Sequence, residues 1–304
     1  MQTKEHRPLA GRTAGVLVVL LVLGIAGLGA GAATRRVSNS PKPKLVLTAS
    51  TEQVGTTAGV PGTSDGGGDK LTDRGGGGTV DFFGDSLGYQ AEPYLDMFFA
   101  EVGHYTVSNN TYGGTATCDW LSRMAAAATE RPQAAILVFS GNAFTPCMEG
   151  AALESPEYYD LYSSYTEQAI GIFSAVGTHV FLVGTPIDES SGARLDDLYQ
   201  RLAQANPLAV TYVNAGAAVE TPAGRFTFTL PCLSIEPSCG ANGTNVVRSP
   251  DGIHFCPDGT PADQGVTGSC DVYSPGAFRF ALSMVTAVTQ HPSNASASLV
   301  GAVR

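Results

Sequence analysis

The chain has 304 residues and a formal net charge of -10, and its length allows one large domain or two small ones. The acidic balance excludes a protein built to hold nucleic acid, because phosphate binding needs a basic surface. Glycine contributes 37 residues, and much of it lies in one N-terminal tract that alone departs from globular composition.

Residues 1–33 predict a targeting element. Basic residues precede an apolar run over residues 14–33, which reaches the roughly 20 residues that a membrane-spanning helix needs. That length favours an uncleaved signal-anchor over a signal peptide, whose apolar core has about 7–15 residues. The sequence Ala30-Gly31-Ala32 matches a signal-peptidase site and leaves cleavage open. The two alternatives predict a membrane-anchored protein with an extracytoplasmic domain, or a secreted one.

Residues 34–78 predict a disordered linker. They are rich in Ser, Thr, Gly and Pro and end in a run of glycines, so they cannot bury enough apolar surface to fold. A flexible coil of about 45 residues would have an r.m.s. span near 35–40 Å. We therefore expect a tether that holds a domain away from a membrane surface.

Residues 79–290 predict one α/β domain, followed by a flexible tail over residues 291–304. Short apolar runs predict strands at Thr79–Phe83, Tyr105–Ser108, Ala134–Phe139, His179–Val183 and Val210–Asn214. Amphipathic stretches predict helices at 87–102, 116–129, 156–176, 194–206 and 275–290. This alternation predicts a parallel sheet with helices on both faces. The region from Glu220 to Cys270 breaks the rhythm, and we expect loops there.

The six cysteines agree with export. No C-x-x-C pair occurs, so neither a zinc site nor a thioredoxin-like motif is indicated. In an oxidising compartment they would most simply form three disulfides, with buried free thiols as the alternative. Six cysteines allow 15 pairings. Proximity along the chain favours Cys232–Cys239 and Cys256–Cys270, which leaves Cys118–Cys147.

Polar residues follow four of the predicted strands, where a parallel sheet has its functional crevice. Ser86 follows the first strand, Gly114 the second and Asn142 the third, while Asp251 and His254 follow the fifth and the cysteine-rich region. The other histidines fit this edge less well. His179, for example, opens its strand at the opposite end, which indicates a structural role.

These residues form a full set for nucleophilic acyl chemistry. A serine hydroxyl needs a base to take its proton, and the base needs a third group to orient it. We predict Ser86 as nucleophile, His254 as base and Asp251 as its orienting carboxylate. The backbone N–H groups of Ser86 and Gly114 and the side-chain amide of Asn142 are the predicted donors of an oxyanion hole.

Each residue taken alone also has a purely structural interpretation. Ser86 or Asp85 could be an ordinary helix N-cap, and Asp251 followed by Gly252 could be turn chemistry. A D-x-x-H pair also arises easily by chance. The joint placement of the residues at one edge of the predicted sheet favours the catalytic interpretation.

The residues resemble the SGNH (GDSL-type) hydrolases. The first block of that family is similar to FFGDSLG with Ser86, the second to NNTYGG with Gly114, and the last to Asp251-Gly-Ile-His254. The third block matches only in part, because Ala143 stands where the family has an aspartate after its asparagine, here Asn142. The resemblance covers residues 79 to 290.

The resemblance implies a three-layer α/β/α sandwich with a five-stranded parallel sheet of flavodoxin-like order, with no metal and no organic cofactor. It also implies an ester substrate, commonly an acylated carbohydrate or a lipid. We expect an extracytoplasmic esterase that acts on short acyl groups of envelope carbohydrate or glycolipid. The alternatives are an O-acyltransferase with a sugar acceptor, a lipase for longer chains, and a non-catalytic binding module that kept the fold.

Overall fold

A computed structural model of the protein describes residues 78–103, 105–188, 194–259 and 269–292. The predicted targeting element and nearly all of the predicted linker lie outside the described residues, as do residues 293–304 of the predicted tail. Within the described ranges, no helix is both long enough and apolar enough to cross a membrane.

Five parallel strands form the central sheet, as predicted. They are β1 (Gly78–Gly84), β2 (Tyr105–Thr111), β3 (Ala134–Val138), β4 (His179–Val183) and β5 (Val210–Val213). Their order is β2-β1-β3-β4-β5, which is the flavodoxin-like order. Strands β3 and β4 are entirely buried, because helices cover both faces of the sheet, and His179 is the one polar side chain in these two strands.

Five helices connect and cover the strands. They are α1 (Ser86–Val102), α2 (Thr117–Ala128), α3 (Pro156–Ser174), α4 (Arg194–Ala205) and α5 (Pro275–Gln290). Side-chain caps fix three of the starts: Asp85, Ser155 and Ser274 accept hydrogen bonds from backbone N–H groups in the first turns of α1, α3 and α5. Ser155 and Ser274 are each followed by a proline at the first helical position, where its missing N–H costs nothing.

The side chains of the sheet contribute to two separate apolar cores, one on each face. Helices α1 and α5 pack on one face, with Phe82 of β1 and Phe99 of α1 in that core. Helices α2, α3 and α4 pack on the other face, with Phe83 and Phe173 in the second core. Adjacent residues of β1 serve opposite faces because side chains alternate along a strand. The described domain therefore has the three layers that the resemblance implies.

The region between Glu220 and Cys270 holds more structure than the sequence predicted. Strands β6 (Thr229–Pro231) and β7 (Thr244–Val246) form a small antiparallel sheet there. The three predicted disulfides, Cys118–Cys147, Cys232–Cys239 and Cys256–Cys270, are all formed, which confirms the pairing. The sequence did not predict these strands because they are short and half-exposed and so carry no apolar run. Disulfides also order this region without leaving a periodic pattern in the sequence.

His179 gives the fold a defined dependence on acid. It lies buried at the start of β4, with its ring 3.9 Å from that of His291 and its Nε2 2.9 Å from the Thr211 hydroxyl. Burial, together with His291, lowers the pKa of His179 from 6.5 to about 4. Between those values the unfolded chain binds a proton at this residue and the folded chain does not. The free energy of unfolding therefore decreases as the pH falls from about 6.5 to 4.

We expect His179→Gln to remove this part of the acid sensitivity, because glutamine stays uncharged and keeps a polar group near Thr211. Thermal melting of the two proteins between pH 7 and pH 4 measures the effect. The wild-type melting temperature should fall more steeply than that of the variant. Parallel curves for the two proteins would assign the acid sensitivity to other groups.

Candidate active site

Ser86 lies at the point where the chain leaves the centre of the sheet. Strand β1 ends at Gly84, Asp85 caps the next helix, and Ser86 is the first residue of α1. The site faces the carboxyl ends of β1 and β3, where the strand order reverses and α/β proteins form their ligand crevice. At the start of a helix, the Ser86 side chain also lies near the positive end of the helix dipole.

The structure brings the three predicted triad residues into contact. The Nε2 atom of His254 lies 2.9 Å from the hydroxyl oxygen of Ser86. The Nδ1 atom of His254 lies 2.7 Å from a carboxylate oxygen of Asp251. Both distances are those of hydrogen bonds. An imidazole that donates from Nδ1 to the carboxylate leaves Nε2 free to accept the proton of the serine hydroxyl.

Asp251 has two structural tasks at once. Its Oδ1 atom accepts the backbone N–H groups of Ile253 and His254, at 2.9 and 3.0 Å, while Oδ2 accepts from the imidazole. The turn closes through Ser249, whose N–H donates to the carbonyl of His254 at 2.7 Å. The turn interpretation of Asp251 and its place in the triad are therefore compatible, because each uses a different carboxylate oxygen.

Asp85, which caps α1, connects the start of that helix to the loop after β3. Its side chain is fully buried and accepts hydrogen bonds from the Leu87 N–H, from the N–H and hydroxyl of Ser140, and from the Asn142 amide. Burial raises the pKa of Asp85, while the bonds from Ser140 and Leu87 act in the opposite direction. One carboxylate thus connects the first turn of α1, which begins at Ser86, to Ser140 and Asn142.

The three predicted oxyanion donors differ in whether they already have a hydrogen-bond acceptor. Within the described part of the chain, the backbone N–H groups of Ser86 and Gly114 have no acceptor. The Asn142 amide nitrogen lies 3.1 Å from both Asp85 Oδ2 and the Thr115 carbonyl, so its two N–H groups are engaged. Asn142 would have to share one of them with an oxyanion, and its donor role stays a prediction.

Two glycines shape the loops around the site. Gly114 has a φ of 76° and open space where a side chain would stand, so its requirement is the left-handed backbone. Gly141 has a φ of 111°, and a Cβ there would lie 2.3 Å from the Tyr158 hydroxyl, which donates to the Gly141 carbonyl. Next to it, Ala143 is buried in an apolar cluster, an environment that suits alanine better than the aspartate of the SGNH block.

Several residues that the sequence reasoning missed hold the His254 turn. Gln90 is buried one helical turn after Ser86 and accepts the N–H of Phe255 at 2.7 Å. The Ser274 hydroxyl donates to the carbonyl of Phe255 at 2.8 Å. A polar residue four positions after the nucleophile, on the buried face of α1, was the signal available for Gln90. Nothing local to Ser274 indicated its partner.

A cavity of about 250 Å³ opens beside the triad, between the loops that follow β3 and β4. The apolar residues Leu87, Phe144 and Ile253 share its walls with the acidic residues Glu154, Asp188 and Asp196. Burial raises the pKa of Asp196 to about 6, and Tyr212 and the Thr185 N–H donate to its two oxygens.

The described residues contain one group of possible metal ligands, Cys118, Asp119 and Cys147. The two cysteines form a disulfide and so offer no thiolate, which is the form that binds metals. These three residues therefore do not fit a metal ion.

The Cys256–Cys270 disulfide should support the position of His254, which lies two residues before it. Replacing both cysteines by alanine should lower the free energy of unfolding by about 3 kcal/mol on a chain-entropy estimate for a loop of this length. It should also lower kcat, because Cys256 is buried and anchors the end of the His254 turn.

Chemical denaturation and initial rates with an ester substrate measure the two effects. The matched control removes Cys232–Cys239, which closes a shorter segment next to β6, and should lower stability with no change in kcat. Equal kcat values in both double variants would show that the Cys256–Cys270 disulfide does not support the function of His254.

Comparison with known proteins gives a family and a set of distant structural likenesses. The family described as "Protein of unknown function (DUF459)" matches residues 79–262. No curated protein matches the chain. A candidate acylhydrolase from Bacteroides fragilis has a TM-score of 0.46 at 16% identity, covering 73% of this chain and 89% of its own.

Two further solved structures have similar scores. A GDSL-like lipase from Bacteroides thetaiotaomicron has a TM-score of 0.43 at 15% identity, with 69% of this chain and 86% of its own covered. An acetyl xylan esterase has 0.42 at 16% identity, with 69% and 99% covered. At such identities an activity has to be argued from the site itself.

The fold agrees with the one that the resemblance to the SGNH hydrolases implies. The sheet has the implied order, and His254 of the last block contacts Ser86 of the first.

Proposed function

This chain belongs to the DUF459 family, and we propose that it is a serine esterase that hydrolyses short-chain acyl esters outside the cytoplasm. The observation that carries the proposal is the contact chain from Ser86 through His254 to Asp251, with both hydrogen bonds in place. Serine, histidine and carboxylate in this geometry perform acyl transfer on several unrelated folds.

The proposed reaction has two halves. The Ser86 hydroxyl oxygen attacks the ester carbonyl while His254 takes its proton, and the negative oxygen of the tetrahedral intermediate lies against the N–H groups of Ser86 and Gly114. The carbon–oxygen bond to the alcohol then breaks, and His254 gives the alcohol its proton. A water molecule, deprotonated by the same imidazole, attacks the acyl-enzyme, the bond from the acyl carbon to the Ser86 oxygen breaks, and the imidazolium returns the proton to that oxygen, which releases the carboxylic acid and free Ser86.

The cavity beside the triad supports a small, polar and uncharged substrate. Its volume suits a short acyl group with part of a polar alcohol better than a long alkyl chain, since its carboxyl groups would have to lose water against that chain. The three carboxyl groups at Glu154, Asp188 and Asp196 disfavour an anionic ester by like-charge repulsion. An acylated neutral sugar of the envelope, free or in a glycolipid, fits these demands.

An extracytoplasmic location is the companion proposal. The three disulfides support it, because such bonds persist in oxidising compartments. The apolar segment at residues 14–33 supports attachment to a membrane, or secretion if the segment is cleaved.

The runner-up is an O-acyltransferase with the same triad, in which a sugar hydroxyl takes the place of water. An isotope-labelled acetyl ester supplied with and without an acetyl-free oligosaccharide separates the two. Our proposal predicts labelled acetate as the main product in both reactions. Labelled oligosaccharide formed faster than acetate would favour the transferase.

Acyl length is tested on a series of p-nitrophenyl esters from acetate to palmitate. The esterase proposal predicts the highest kcat/KM for the shortest members. A maximum at long chains would favour a lipase. No turnover of any member would favour a binding module that kept the fold.

A further inference from the structure

Arg248 is the largest side chain that the structure buries completely, with 1% of its surface exposed. It lies two residues after β7 and directly before the turn that carries Asp251 and His254. The reaction described above makes no use of it. A buried cation so close to the proposed base needs a physical explanation.

The Arg248 guanidinium joins two loops. Its Nη1 atom donates to the carbonyl of Ile253 at 2.8 Å, the peptide group that immediately precedes His254. Its Nη2 atom donates to the carbonyl of Ile187, in the loop that follows β4. Ile187 and Ile253 both line the cavity beside the triad. One side chain therefore ties the backbone of the base to a wall of the cavity.

The surroundings of Arg248 do not suit a role in stability alone. Both of its hydrogen bonds go to backbone carbonyls, and its Nε is buried without a partner among the described residues. The Cζ atom of Arg248 lies 5.8 Å from the ring centroid of Phe226 and 5.7 Å from that of Phe255. Burial lowers the pKa of Arg248 to about 10, although the carboxyl groups of Glu220, Asp188 and Asp251 act in the opposite direction. Burying a cation costs free energy that an apolar side chain of similar size would not.

We infer that Arg248 is a positioning residue for the proposed esterase, fixing the Ile253–His254 segment so that the imidazole stays on the Ser86 hydroxyl. The planar fork of an arginine suits this task, since it presents donors in a fixed geometry to two carbonyls at once. The expected change in kcat rests on the proposed function. The expected change in the distance from His254 to Ser86 rests on the structure alone.

The other anchors of the turn leave this position open. Gln90 and Ser274 hold Phe255, after the base, and Asp251 holds the backbone N–H of His254. The Ile253 carbonyl, before the base, is held by Arg248. Ile253 itself is 45% exposed, so its own side chain gives that peptide little packing.

The kinetic test replaces Arg248 by methionine, which fills a similar volume without a donor. We expect kcat for p-nitrophenyl acetate to fall by about 10- to 100-fold, because small displacements of reacting groups have effects of that size. KM should stay within about twofold, because Arg248 does not touch the substrate. Arg248→Lys keeps the charge but replaces the planar fork by a single ammonium group, and its kcat should lie between those of the wild type and Arg248→Met.

Arg279→Met is the matched control. Arg279 is also buried, at 4% exposed, and bonds to Glu236 and the Pro231 carbonyl, away from the triad. It should lower the melting temperature and leave kcat unchanged, with all rates measured well below the melting temperatures. If Arg248→Met does not fold, Arg248→Lys decides, with an expected kcat at least about fivefold below wild type.

A crystal structure of the same Arg248 variant gives a reading that does not depend on any substrate. We expect the distance from His254 Nε2 to the Ser86 hydroxyl to lengthen from 2.9 Å beyond hydrogen-bond range. Inactivity of the wild type would count against the proposed function but not against this geometric result. An unchanged contact, or wild-type kcat in a folded variant with a lowered melting temperature, would overturn the role of Arg248.

Discussion

Replacing Ser86 by alanine is expected to lower kcat for a short-chain ester by about 10⁴-fold or more, because removing a triad nucleophile leaves only binding and the oxyanion donors. The free energy of unfolding should change by no more than about 0.5 kcal/mol. Asp85, and not Ser86, caps α1, so the loss of the hydroxyl removes no cap.

Steady-state kinetics and thermal melting measure the two quantities on the same preparation. Ser163→Ala, at a half-buried serine on α3 that bonds to Glu167, is the matched control and should keep wild-type activity. Activity that survives in Ser86→Ala would show that the hydroxyl is not the nucleophile. A large loss of stability in the same variant would make it a structural residue.

Replacing Asp85 by alanine is expected to lower both stability and activity. The variant leaves four donors without an acceptor, namely the N–H groups of Leu87 and Ser140, the Ser140 hydroxyl and the Asn142 amide. Buried donors without partners cost about 1–3 kcal/mol each, so we expect a total of about 3 kcal/mol or more after local relaxation.

Asp85→Asn separates the contribution of shape from that of acceptor capacity. Asparagine keeps the shape but turns one acceptor oxygen into a donor, which would face the Ser140 and Asn142 donors. We expect stability between that of wild type and that of the alanine variant, and a reduced kcat because Asn142 loses its anchor. Urea denaturation and initial rates give the result. Wild-type kcat in both variants would remove Asp85 from the support of the site.

Strands β3 and β4 could be predicted from the sequence because they are nearly all apolar. Strand β4 was predicted at its observed bounds and β3 to within one residue. Helix α5 was also predicted at its observed bounds, since Ser274 and Pro275 mark its start. In these elements the local preference and the burial agree.

Strand β2 continued three residues beyond its predicted end. Its last residues, Asn109, Asn110 and Thr111, are polar and gave no strand signal. The strand lies at the edge of the sheet, where one side has no neighbouring strand and polar side chains find partners. Asn109, for example, donates to Asp96 of α1. Position in the sheet decided the length, and a single strand does not encode its position.

The site also contains residues that the sequence predicted and residues that it did not. Motif order placed Ser86, Asp251 and His254 at one edge, because strand ends of a parallel sheet meet there. A polar residue on the buried face of α1 was a signal for Gln90, but the sequence could not reveal its partner, which lies 165 residues away. It gave no signal for Arg248, whose hydrogen bonds among the described residues go to backbone carbonyls. Such contacts depend on the folded loops and not on any local pattern.

Labelling of the full-length protein with a fluorophosphonate tests the central claim most directly, because the reagent bonds to serines that an adjacent base has activated. Peptide mapping by mass spectrometry then identifies the modified residue. Our account predicts one modified site, Ser86, with labelling lost in Ser86→Ala and greatly slowed in His254→Ala. Labelling at another serine, or none in a folded and stable protein, would contradict it.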